Sequence, residues 1–178
     1  MGLDTYAVLA NQYANESDAL ADYEAVRKLY TDLGLIDTYD AAVLTRKATG
    51  KVDIVKRTEE PTRQGAAKGF VVGLAVGAVI ALFPAAGLGL AAGLLGGGAV
   101  GAGAGAVAGH VAGGMRRSDL KDLGELLDNG TTGLLVVAAT DVEARVEAAI
   151  TRAKKRAKAQ LQADTDALKK EIDSYRAA

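Results

Sequence analysis

The sequence predicts an α+β protein interrupted by a glycine-rich apolar segment. Segments of period-two alternation and segments of helical spacing follow one another along the chain, which sets the class. From Gly65 to Met115 the one charged side chain is Lys68, while both flanks are rich in Asp, Glu, Lys and Arg. At 178 residues the chain is long enough for one domain with an inserted or appended piece.

Thr5 to Tyr13 alternates as a strand, with Tyr6, Val8 and Ala10 on one face. Asn15 and Ser17 are helix N-cap residue types. Beyond them Ala19/Leu20, Tyr23, Val26, Leu29/Tyr30 and Leu33 keep helical spacing, and Gly34 suits the stop. Ile36 to Arg46 reads as a strand in which Tyr39, Ala41 and Val43 oppose Ala42 and Leu44. Ala48-Thr49-Gly50 signals a hairpin. Lys51 to Thr58 is the return strand, with Val52 and Ile54 on one face and Asp53 and Arg57 on the other.

Past the apolar segment, Ser118 is placed to cap a short helix with Leu120, Leu123 and Leu127 on its stripe. Gly133 to Thr140 is apolar on both faces, as a central strand requires. From Asp141 the spacing of Val142, Val146, Ile150, Ala153, Ala157, Leu161, Leu168, Ile172 and Tyr175 predicts one long helix. At ~1.5 Å per residue it would reach ~50 Å. Its far half, through Leu161, Leu168, Ile172 and Tyr175, is expected to dock on another copy. Without the apolar segment and this last helix the order is βαββαβ, the ferredoxin-like order. The expected divisions are 1–62 and 118–140 for the two parts of the sheet domain, 63–117 for the apolar hairpin and 141–178 for the helix.

The chain resembles the bacterial domain-of-unknown-function family 1269. The resemblance rests on Tyr6-Ala7-Val8, the glycine repeats, Asp119-Leu120-Lys121-Asp122-Leu123-Gly124 and Gly133-Leu134-Leu135-Val136-Val137. It covers roughly Thr5 to Ile150. It implies a ferredoxin-like domain with an inserted hydrophobic hairpin and a membrane or self-assembly role, and it supplies no catalytic residues.

Glycines recur every fourth residue at Gly65, Gly69, Gly73 and Gly77, and again at Gly89, Gly93, Gly97, Gly101, Gly105, Gly109 and Gly113. Such spacing lays bare backbone along one flank of a helix. Each glycine weakens an isolated helix by about 1 kcal/mol relative to Ala, so the repeat makes sense only with close packing against it. A four-residue step overshoots a full turn by ~40°, so the second stripe winds through ~240° and outruns a single straight partner. A homo-oligomer of packed hairpins is therefore expected. Phe83-Pro84 separates two arms, Arg63 and Lys68 precede them, and Arg116 and Arg117 follow. Positive flanks on both sides predict a hairpin in the cytoplasmic membrane with both ends in the cytoplasm, in contact with lipid. The second arm is weakly apolar, so a soluble filament, tube or shell with buried hairpins is the alternative.

Chemistry is sparse. The chain has no cysteine and one histidine, His110, so neither a disulfide framework nor a metal cluster is expected. Gly87-Leu88-Gly89-Leu90-Ala91-Ala92 fits a loose dinucleotide fingerprint but lacks the preceding strand and the following acid. Asp18, Asp22, Glu24, Asp119, Asp122 and Glu125 read as solvated helix faces, and Lys154 to Lys158 as a solvated basic stretch. The formal net charge of −1 gives no reason to expect nucleic acid. No secretory signal is seen at the N-terminus. The expectation is a non-enzymatic, cofactor-free, self-assembling protein with an envelope or stress role. A small-molecule sensor built on the sheet is a further alternative.

Overall fold

The computed structural model describes residues 4–35, 39–49, 52–57, 113–128, 132–164 and 166–167, and among these it has five strands and three helices. In chain order they are β1 (Asp4–Tyr13), α1 (Glu16–Asp32), β2 (Tyr39–Arg46), β3 (Val52–Arg57), α2 (Arg117–Asp128), β4 (Thr132–Ala139), α3 (Glu143–Ala149) and β5 (Lys155–Ala163). The sheet order is β3-β2-β4-β1-β5, and every neighbouring pair is antiparallel. It follows that β1 and β2 run parallel with β4 between them, joined by α1. Likewise β4 and β5 run parallel with β1 between them, joined by α3.

Alternation along β1, β2 and β4 feeds two cores, and β3 and β5 add to the second. Leu9, Tyr13, Tyr39, Ala41, Val43, Leu134, Val136 and Ala138 face α1 and α3. Tyr6, Val8, Ala10, Ala42, Leu44, Leu135, Val137 and Leu161 lie on the second face, with Leu123 of α2. β4 is central, and Leu134 to Ala138 are fully buried, which explains its apolar run. At α1 the Asn15 carbonyl oxygen of the side chain accepts from the Asp18 N–H at 2.8 Å, capping the helix start. Gly34 follows its C-terminus at φ +67°, a conformation that favours glycine.

The hairpin of β2 and β3 carries an irregularity. Leu44 pairs with Ile54 but Val43 pairs with Lys56, so Val55 is the extra residue of a bulge. Val55 is accordingly exposed. Lys56, which strict alternation would place with Val52 and Ile54, instead lies opposite Val43. There it reaches Glu24 at 2.6 Å and sits 5.3 Å from the Tyr23 ring centroid.

The long C-terminal helix expected from Asp141 is corrected. The helix is α3 alone and ends at Ala149, where Ile150 turns extended (φ −85°, ψ 102°). Lys155–Ala163 is a strand paired with β1 over its whole length. Ala153, Ala157 and Leu161 fit helical spacing, yet Ala157, Ala159, Leu161 and Ala163 also alternate with Arg156, Lys158, Gln160 and Gln162. Ala, Lys, Gln and Arg favour helix intrinsically, and burial on the sheet overrides that preference. Leu161, expected at a subunit contact, is fully buried in the chain's own core. The division at 141–178 therefore fails as a separate helical piece, because β5 completes the sheet. Leu168, Ile172 and Tyr175 lie outside the described residues.

Candidate functional site at the root of the glycine-rich segment

Gly113 and Gly114, the last glycines of the glycine-rich segment, form a helical turn just before α2. Gly114 meets β5 backbone to backbone. A Cβ there would collide with the Gln162 carbonyl oxygen and stand 2.8 Å from Leu161 Cδ1. At Gly113 a Cβ would meet open space. Met115 then enters the second-face core. Arg116 closes the turn with a two-pronged pair to Asp119, Nε to Oδ2 and Nη2 to Oδ1, each 3.0 Å. This bonding holds the Asp119 carboxyl below the usual carboxylate range. Arg117 is exposed at the first position of α2.

A cleft of about 660 Å³ runs between this turn and the outer side of β5. Its walls include Arg116 and Asp119 on one side and Glu143 and Lys158 on the other. Lys158 Nζ donates to Glu143 at 2.8 Å and Glu147 at 3.0 Å, which raises the ammonium above its ordinary value. Arg156 donates to the Glu147 carbonyl at 3.3 Å and to the Ile150 carbonyl, covering the end of α3. The basic stretch from Lys154 to Lys158 is thus solvated as expected, but on a strand and its approach.

One polar centre escaped the sequence reading. Asp22, expected on a solvated face, is fully buried. Its Oδ2 accepts from Tyr13 Oη at 3.0 Å and the Arg152 N–H at 2.8 Å, and its Oδ1 accepts from Arg152 Nη1 at 3.1 Å. Burial and the adjacent Asp22 carboxylate push the Tyr13 phenol well above its ordinary value. The network ties α1 and β1 to the turn leading into β5. A signal was present: Asp22 sits within the stripe Ala19, Tyr23, Val26, Tyr30 that α1 buries. Among the other acids, Asp122 and Glu125 are exposed, and Asp18, Glu24 and Asp119 are half-buried.

Of the residues singled out by sequence, the structure brings Gly113, Arg116 and Leu161 to this root. The glycines from Gly65 to Gly109, with Arg63, Lys68 and His110, lie outside the described residues. Among the described residues no three or more His, Cys, Asp or Glu side chains are grouped to hold a metal ion. Among them, too, no helix is long and apolar enough to cross a membrane. No protein-family model, curated protein or solved structure matches this chain.

Proposed function

We propose that the protein is a non-enzymatic, self-assembling scaffold whose glycine-zipper segment binds the cytoplasmic membrane and the same segment of other copies. The observation that carries this reading is the four-residue glycine spacing over Gly65–Gly77 and Gly89–Gly113 in a stretch with one charge. The roots of the segment support it. β3, after which the segment begins, is one edge of the sheet, and Gly114, where it ends, packs on β5 at the opposite edge. Those edges stand ~19 Å apart, four strand spacings. Among the described core residues only Met115 comes from the segment. A folded base gripping an apolar insert at both edges is suited to presenting it to lipid or to a neighbour.

Within this reading the sheet is ferredoxin-like, with β1-α1-β2 and β4-α3-β5 as interlocked crossovers and β3 added at the edge. The likeness to domain-of-unknown-function family 1269 belongs to the same proposal. A soluble assembly with buried hairpins is the second reading. It is favoured by the Arg116–Asp119 pair, which occupies a cation that lipid headgroups would otherwise use.

One experiment separates these readings, and a second tests the zipper they share. Membrane association predicts a pellet released only by detergent, and the soluble assembly predicts large particles without it. Gly97→Leu, Gly101→Leu and Gly105→Leu raise hydrophobicity while blocking backbone approach, and are expected to dissociate the oligomer on native gels. An oligomer indifferent to all three would end the zipper reading.

A further inference from the structure

We propose that the second face of the sheet, over β3, β2 and β4, is the seat of the first arm of the glycine-rich segment, Phe70 to Phe83. In the lipid-free protein that arm roofs its own sheet. A bilayer or another copy has to compete for it.

The seat shows in burial that the described elements do not account for. On that face Ala42, Leu135 and Val137 are fully buried, and Leu44 and Val52 are each 3% exposed. The described helix there is α2, and it packs over β5 and β1. β2 and β3 lie two and three places from β1 in the sheet order. β3 is therefore ~14 Å from β1, whereas a helix with its side chains is ~10–12 Å across. α1 and α3 lie on the opposite face. Neighbouring strands shield a side chain from the sides and not from above, so Leu44 and Val52 need a second layer.

Sequence chemistry selects the occupant from the stretches outside the described residues. The connection 129–131 is Asn-Gly-Thr, short and polar. In 168–178, Leu168, Ile172 and Tyr175 are interleaved with five charged residues, Lys169, Lys170, Glu171, Asp173 and Arg176. Phe70 to Phe83 carries no charge, holds both phenylalanines of the chain, and fills the space between them with Val, Leu, Ile, Ala and two glycines. Beyond Pro84 the segment is largely glycine and alanine, with less volume to lay over Ala10 and Ala42. Connectivity agrees. The segment follows β3, the outer strand of the seat, and its last glycine, Gly114, lies against β5 at the far edge. Met115 then enters the core of this same face. With α1 and α3 on the other face, the short way between the two edges, ~19 Å, runs over the seat. The seat itself does not depend on the zipper reading. One consequence does rest on it: contacts between copies fall to the second arm, Gly89 to Gly113.

Ile54 is half-buried and packs against this core, so in the full chain it can be replaced by the photo-reactive residue benzoylphenylalanine. Irradiation of the lipid-free protein should cross-link it to Phe70–Phe83, by peptide mass mapping, in a product of monomer size on a denaturing gel. A cross-link to 129–131 or 168–178, a product of dimer size, or no cross-link overturns the proposal. A second measurement uses charge in the arm. Val76→Asp and Ile80→Asp should each lower the folding equilibrium constant from urea unfolding at least tenfold, and Leu95→Asp in the second arm should leave it within about twofold. Equal losses from all three, or no loss from the first two, count against the seat. Vesicles of anionic lipid, added before irradiation, separate this proposal from the membrane reading. If the segment enters lipid, the arm leaves its seat and the cross-link disappears. A cross-link that survives in vesicles leaves the seat standing and ends the membrane reading.

Discussion

The two faces of the sheet are held by different physics. On the α1 and α3 side Tyr13, Tyr23, Tyr30 and Tyr39 are buried, Tyr13 bonds the buried Asp22, and Tyr30 stacks on Tyr39 at 4.1 Å. Directional bonds fix that face: Tyr13, Asp22 and Arg152 connect three parts of the chain. The α2 side is built from aliphatics and alanines, with Tyr6 its one tyrosine among the described core residues. There Gly114 allows backbone to touch backbone. The tyrosine face should therefore respond to proton chemistry and polar deletion, and the aliphatic face to added volume.

The largest expected effect tests the tyrosine face as a whole. Burial pushes the Tyr30, Tyr39 and Tyr13 phenols well above their ordinary value, with Asp22 adding to the shift at Tyr13. The folded state then keeps these phenols protonated where the unfolded state ionises, above about pH 10. Their stabilisation is complete below that pH and is lost as pH rises through the folded values. Each contributes about 1.4 kcal/mol per pH unit, so three give about 4 kcal/mol per unit. Urea unfolding at pH 8 and pH 11 should show the collapse, with tyrosinate absorbance rising together with unfolding. Absorbance that rises near pH 10 while the fold persists would break the contrast between the faces.

Next in size is Asp22→Ala, which leaves the Tyr13 hydroxyl and the Arg152 N–H without their acceptor. Stranding buried donors should cost roughly 2–4 kcal/mol in urea unfolding. Asp22→Asn keeps one acceptor oxygen and should cost less. On the other face Gln12→Ala removes only the half-buried bond to the Leu126 carbonyl, so about 1 kcal/mol or less is expected. Equal losses from Asp22→Ala and Gln12→Ala would contradict a bond-directed tyrosine face.

Much of this architecture was legible in sequence because the signals were redundant. Tyr39, Ala41 and Val43 against Ala42 and Leu44 separate onto the two faces as the alternation requires. Leu134 to Ala139, apolar on both sides, reads as central and is central. β5 was not legible, because Ala157 and Leu161 satisfy both a four-residue and a two-residue period. Only the long-range need of β1 for a second neighbour decides between them. Val55 shows a smaller version of the same limit, since a bulge is set by pairing and not by local pattern. Asp22 was readable in principle, as an acid inside an apolar stripe. Its partner Arg152 lies 130 residues away, beyond any local window.

Effects smaller than that of Asp22→Ala give the sharpest test of the aliphatic face, because two adjacent glycines should answer oppositely. Both lie in the same helical turn, so intrinsic propensity favours alanine at each. Gly113 has open space where its Cβ would go. Gly113→Ala should leave stability unchanged or raise it by up to about 1 kcal/mol. Gly114→Ala drives the same methyl group into the Gln162 carbonyl oxygen and against Leu161. That oxygen belongs to the backbone of β5, whose ladder with β1 pairs Gln162 with Thr5. It cannot yield without shifting the strand or lifting the start of α2, and such overpacking typically costs about 1–3 kcal/mol. Thermal unfolding of the two single variants measures the difference directly. If Gly114→Ala is as harmless as Gly113→Ala, the turn before α2 is not seated on β5, and close backbone approach does not hold the second face.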